Sequence, residues 1–233
     1  MPEPAALQHL SFTHDELLAT LAGRLSGANL SGVDLSNCDL EGRVLLEIDL
    51  RGACLREARL ARIAAGRARL DGADLDGADL TDARMVQASL RGTTLRGALL
   101  VGTNLSRADL TDAKLDGARL SGTCLAGAKL TALTLPDARV EQCDFEGASM
   151  QGARMSGATL SRCDLSGADL RHADLRGVRF ERSTLREANL EGAYLQATNV
   201  QTVDLTGARY NDRTFWPPGF DPVAARAILA AAL

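Results

Sequence analysis

From Leu25 to Tyr210 a large apolar residue returns at every fifth position, and no insertion or deletion disturbs the count. Of the 38 positions divisible by five, 29 are Leu, and eight others are Met85, Val140, Phe145, Met150, Met155, Phe180, Val200 and Tyr210. Only Ala65 is small. A period of five fits neither the 3.6 of a helix nor the 2 of a strand. Each unit must therefore combine a short extended piece with a turn.

The other phases of the repeat say how the unit is built. Two residues before each of these centres, 34 of 38 are Gly, Ala, Cys, Ser, Thr or Val. Two residues after it, 19 are Gly, and these account for most of the 22 glycines in the chain. The centre and the small residue point inward on either side of one outward residue. In the turn L-x-G-A the Gly is third of four, where a type II turn needs positive φ. Each unit thus makes one side and one corner, and four units close a square coil. Surface charge supports that closure, since stacked neighbours would then lie four units apart in sequence. Arg56/Asp76, Arg59/Asp79, Arg62/Asp82, Asp49/Arg69, Arg51/Asp71, Asp71/Arg91, Asp39/Arg59, Arg96/Asp116 and Arg154/Asp174 all have opposite sign at that spacing. Arg119/Arg139, Arg162/Arg182 and Asp144/Asp164 are like-charge exceptions.

The units GADLDGADL, GANLSGVDL, GTNLSRADL and GADLRHADL resemble the pentapeptide-repeat family, and the resemblance covers most of the chain. It implies an all-β solenoid, a right-handed quadrilateral parallel β-helix with short N- and C-terminal capping helices. At about 4.8 Å per coil, nine and a half coils would make a rod of roughly 45 Å.

The expected organisation is an N-terminal cap over 1–23, the β-helix over 24–213, and a C-terminal aromatic and helical cap over 214–233. In the first, Thr13 and Glu16 form a capping box, Phe12 and Leu17 a hydrophobic staple, and Gly23 a stop. In the last, Asp221 as N-cap and Pro222 at the first helical position predict a short helix that is apolar all round except for Arg226. Phe215, Trp216, Phe220, Val223, Ile228 and Leu229 are the candidate dimer interface, and the resemblance implies a homodimer through the C-terminal segment. Inside the rod, Arg43 occupies an inward position and predicts a local bulge. Ala65 underfills a centre that Ile63 can compensate.

No chemistry is visible. The three histidines are scattered, no nucleophile, phosphate-loop or metal motif occurs, and the outward Asp residues read as a solvated surface. Neither a catalytic residue, a cofactor nor a metal is expected. Five cysteines at scattered spacings read as reduced thiols. The basic belt Arg56, Arg59, Arg62, Arg67 and Arg69 lies beside the acidic belt Asp71, Asp74, Asp76, Asp79 and Asp82. Such a girdle is neutralised, so direct nucleic-acid binding is not expected. The start MPEPAALQHL lacks the basic and apolar regions of a secretory signal, and no apolar run is long enough for a membrane span. A cytoplasmic protein is expected.

Function must then lie in surface shape and charge. Some members of the family are quinolone-resistance and antibiotic self-protection proteins. The resemblance to them implies a non-enzymatic rod that binds DNA gyrase or topoisomerase IV by DNA mimicry. The candidate partner-binding face is the acidic column Asp144, Glu146, Asp164, Glu187 and Asp204, opposed there only by Arg186. The alternative is a cytoplasmic scaffold or regulator binding an unrelated protein.

Overall fold

The computed structural model describes residues 25–196 and 198–230. Parallel bridges join each outward residue to its counterpart four units on, from Asn29↔Asp49 to Asn189↔Arg209. With one turn per unit, that register means four sides to each coil. Every multiple of five from Leu25 to Leu205 is buried in one continuous core, and Tyr210 is half-buried. Ile63 and Ala65 are both 2% exposed, so the small centre leaves no opening to solvent. The uninterrupted period of five is what holds the register, because a slip of one residue would turn every Leu outward.

The corners obey one rule whatever residue occupies them. Two positions after nearly every centre, Gly and non-Gly residues alike are left-handed, with φ between 52° and 75°. At Gly102 the constraint is double, since an added Cβ would also collide with the Asp82 carboxylate one coil before. Asp82 itself holds the same conformation at φ 56°, which a non-glycine residue adopts at a cost of about 1–2 kcal/mol. The outward Asp and Asn residues do more than carry solvation. Each side-chain oxygen accepts the backbone N–H two residues on, as in Asp34–Ser36 (2.9 Å), Asp79–Thr81 (2.9 Å), Asn104–Ser106 (3.0 Å) and Asp164–Ser166 (2.8 Å). They cap the turns locally, as short polar side chains do.

One corner is built differently. Four short strands stack in parallel there: β1 (Leu120–Ser121), β2 (Arg139–Glu141), β3 (Thr159–Ser161) and β4 (Arg179–Glu181). The turns after them lack the carbonyl-to-amide bond that closes most others. The inward column at this corner is Thr103, Thr123, Cys143, Cys163 and Ser183 rather than Ala. Thr123 Oγ1 donates to Leu100 O (2.5 Å), Cys163 Sγ to Val140 O (3.5 Å) and Ser183 Oγ to Leu160 O (3.0 Å). The Cys163 amide in turn donates to Ser183 Oγ (2.9 Å). Hydroxyls and thiols thus satisfy backbone groups that an alanine would leave buried and unpaired. Cys143 and Cys163 remain free thiols, and the neighbouring Cys143 together with burial pushes the Cys163 thiol up.

The ends bring two corrections. Arg43 forms no bulge. Its amide closes the turn to Leu40 O (3.0 Å), its carbonyl accepts Ala64 N (2.9 Å), and Val44↔Ala64 keeps the register. The side chain is simply exposed beside exposed Val44 and Leu46. The expected C-terminal helix is also absent among the described residues. Asp221 does cap, its carboxylate accepting Val223 N (2.9 Å) and Ala224 N (3.2 Å), but only one turn follows. Arg226 goes left-handed at φ 61°, and the chain leaves as β6 (Ile228–Leu229), parallel to β5 (Arg209–Tyr210). Branched Ile228 suits an edge strand, and the strand bonds of Ile228 N to Ala208 O and Ala230 N to Tyr210 O (both 2.7 Å) are available only to an extended chain. This last coil is out of step. Tyr194 pairs with Phe215, one position beyond the regular partner, and Arg209 with Ile228, one position short of it. The expected N-terminal helix over Thr13–Gly23 lies outside the described residues. A 3-10 turn, Val200–Thr202, interrupts one corner.

Candidate interaction surfaces

The N-terminal half of the rod neutralises itself. Arg59 reaches both Asp39 (2.9 Å) and Glu41 (2.6 Å), Arg62 reaches Glu41 (2.5 Å), and Arg56 bridges Asp74 (3.1 Å) and Asp76 (3.6 Å). Arg69 meets Asp49 (3.3 Å), and Arg67 meets Glu47 (3.6 Å). Pairs between stacked coils therefore exist, but the two-pronged ones come from a shorter spacing. Arg51–Asp49, Arg171–Asp169 and Arg176–Asp174, each at 2.7 Å, come from the local sequence D-L-R, whose outward residues share one turn. Exposed pairs of this kind contribute only about 0.2–1 kcal/mol each.

The predicted acidic column is only partly a column. Asp144 and Asp164 are bridge partners in adjacent coils, and Glu146 stands exposed beside them. None of these three has a cationic side chain in contact among the described residues. Asp204 does, because Arg186 binds it at 2.9 Å. Glu187 sits at a left-handed corner, φ 57°, on the edge of a shallow groove with Gly207, Arg209, Ile228 and Leu229. The structure thus brings together Asp144, Glu146 and Asp164, keeps Asp204 two coils on along the same ladder but paired with Arg186, and puts Glu187 at a corner.

Several carboxylates are held below their ordinary range. A hydrogen bond from Arg51 lowers Asp49, and one from Arg176 lowers Asp174. Partial burial pushes Asp169 up, but bonds from Arg171 and Gln151 outweigh it. The Thr206 hydroxyl and amide, then Arg186, bring Asp204 to about 2. Each group binds its proton less readily when folded. Its contribution to stability is present above the unfolded carboxylate pKa and lost as pH falls through the folded one. Melting temperature is therefore expected to stay level above about pH 5 and to drop between about pH 4 and 2. Thermal melts across that range check this; an unchanged melting temperature at the acid end contradicts it.

At the C-terminal end the predicted dimer residues divide into two sets. Phe215, Val223, Ile228 and Leu229 are 46%, 67%, 56% and 62% exposed. Trp216 and Phe220 are half-buried, with ring centroids 4.9 Å apart, and Trp216 also meets the edge of Tyr210 at 5.7 Å. Phe215 stacks flat on Tyr194 at 4.9 Å. The buried Trp216 indole N–H has no acceptor among the described residues.

The family model described as pentapeptide repeats matches eight copies, over residues 24–62, 58–97, 88–125, 123–162 and 163–201. The chain belongs to the pentapeptide-repeat family. That membership implies the right hand of the β-helix. Among solved structures, the chain is similar to HetL, a pentapeptide-repeat protein involved in heterocyst differentiation regulation from the cyanobacterium Nostoc sp. strain PCC 7120. Identity is 30%, over 86% of this chain and 97% of HetL, with a TM-score of 0.46. It is also similar to a trypsin-treated form of QnrB1, a plasmid-mediated fluoroquinolone resistance protein. Identity there is 18%, over 87% of this chain and 90% of QnrB1, with a TM-score of 0.58. No curated protein sequence matches. Among the described residues, no three His, Cys, Asp or Glu side chains gather as metal ligands, and no helix is long and apolar enough to cross a membrane.

Sequence reasoning missed three things: the capping role of the Asp residues, the open corner, and the arginines beside the acidic face. Each had a signal. The first is the regular D-L-x-N–H spacing. The second is that the inward position of every fourth unit from Thr103 to Ser183 is a hydroxyl or thiol. The third is the pair of arginine exceptions to opposite-sign stacking.

Proposed function

We propose that this protein is a non-enzymatic interaction rod whose partner is a bacterial type II topoisomerase, engaged through Asp144, Glu146 and Asp164 in imitation of DNA phosphates. The observation that carries this reading is the direct stacking of Asp144 on Asp164 with no cation in contact among the described residues. Like charges directly opposed across strands cost free energy, and a basic partner surface would offset it. Resistance-associated relatives in the family, QnrB1 among them by its description, add support. In this reading two rods join through the exposed C-terminal residues, in a homodimer that sets two acidic faces on one assembly.

The test is binding of gyrase by the intact chain and by the triple variant Asp144→Asn, Glu146→Gln, Asp164→Asn. Asn retains the oxygen that accepts Glu146 N (2.9 Å) and Ser166 N (2.8 Å), so the turns stay capped while the charge is removed. Weaker binding with a shallower salt dependence is expected, because fewer screened charges contribute. Equal binding by both proteins removes this face from the proposal. No binding by the intact chain favours a scaffold for another partner.

A further inference from the structure

The like-charge exceptions occupy neighbouring faces of the same coils, and the acidic reading uses only one of them. On the adjacent face Arg119, Arg139, Arg162, Arg179 and Arg182 are all exposed. Arg139 and Arg179 lie within strands β2 and β4, Arg119 immediately precedes β1, and Arg162 and Arg182 immediately follow β3 and β4. The register Leu120↔Val140 sets Arg119 beside Arg139, and Ser161↔Glu181 brings Arg162 beside Arg182. Among the described residues none of the five has a carboxylate in contact, whereas Arg51, Arg56, Arg59, Arg62, Arg67 and Arg69 all do. Glu181, the acid nearest to Arg182 in the chain, accepts from Ser161 instead (3.4 Å). Arg162 and Arg182 also hold left-handed corners, φ 56° and 54°, where this column has Gly at 102 and 122. Neither local geometry nor internal pairing explains arginine there.

We infer that the outward face of the β1–β4 sheet is a docking strip for an extended acidic peptide segment of a partner protein. Guanidinium groups bind carboxylates through two parallel hydrogen bonds, which suits arginine over lysine. From Arg119 to Arg179 is three coils, roughly 14 Å, the span of about four extended residues. The strip is narrow. Glu141 and Glu181 stand within it, on β2 and β4, against the five arginines; Asp144 and Asp164 bound it on the next face, and Asp116 and Asp137 on the preceding corner. A nucleic-acid duplex would press its remaining phosphates against these carboxylates. Single strands bind through aromatic stacking, and the exposed aromatic residues among those described, Tyr194 and Phe215, lie beyond the strip. An extended peptide with alternate Asp or Glu side chains fits both the width and the charge. This inference stands apart from the topoisomerase reading, which uses the other face.

Fluorescence anisotropy with a labelled hexaglutamate peptide, at low ionic strength, tests the strip. Binding that Arg139→Ala/Arg179→Ala weakens by about tenfold or more is expected, with Lys114→Ala unchanged. Arg162→Gly/Arg182→Gly is a second variant in which misfolding is no explanation for loss, because glycine is what those corners favour; it too should bind weakly. No binding by the intact chain, undiminished binding by both double variants, or tighter binding of a labelled oligothymidylate or a short duplex would overturn the inference.

Discussion

Replacing Leu105 with alanine is expected to remove about 2–5 kcal/mol of unfolding free energy. Leu105 is 1% exposed, in the stack of centres between Met85 and Leu125. The backbone around it is pinned from both sides, Leu105 N bonding Cys124 O and Met85 N bonding Asn104 O, each at 2.8 Å. Coils held apart by their own ladders cannot close on a cavity, so the upper part of that range applies. Lys114→Ala, at an exposed outward position, should change stability by under about 0.5 kcal/mol. Asp109→Ala should fall between, near about 1 kcal/mol, because its carboxylate accepts both the amide (3.1 Å) and the hydroxyl (2.6 Å) of Thr111. Chemical denaturation of the three variants checks the order. Equal losses from Leu105→Ala and Lys114→Ala would contradict the assignment of inside and outside.

The second large effect is on mass. Val223→Asp/Leu229→Asp is expected to convert a dimer into a monomer, as read by light scattering at micromolar concentration. Both side chains are well exposed, so the single chain tolerates the charges and should melt lower only by what the lost association accounts for. A second copy would cover Phe215, Val223, Ile228 and Leu229 and exclude water from them, which favours association of exposed apolar side chains. A monomeric mass for the unsubstituted chain rules the dimer out. The point variants are preferable to cutting the chain at Phe220, because the cut would also strip β6 from β5.

What could be read from sequence was whatever the core enforces. The centres, the inward small residues and the four-unit register are set by packing, and every coil repeats the same demand. Asp221 and Pro222 were a true start signal, but nothing in AARAILAAAL marks the stop after one turn. There the extended chain gains hydrogen bonds from a neighbouring coil that local propensity does not know about. Arg43 misled in another way, since its side chain lies exposed beside Val44 and Leu46 while its backbone keeps the regular register. The surface was the least legible part. Asp204 and Asp144 occupy equivalent positions, and only the reach of Arg186 makes one paired and the other open. Outward charges are specified by what meets them, and a partner leaves no period in the chain.

The last coil, whose pairings step one position too far and then one too few, has a consequence for self-assembly. A perfectly regular solenoid ends in unpaired strand edges that match its own first coil. Such ends can join head to tail without limit, as any non-closing contact does. Here the last described coil is out of step with the regular coil it pairs with. Its steps are offset by one residue, and Pro217 and Pro218, which have no N–H to offer, interrupt one side. A further copy arriving in register would find its ladder broken at that corner. An edge offset in this way disfavours in-register, head-to-tail stacking of a further copy.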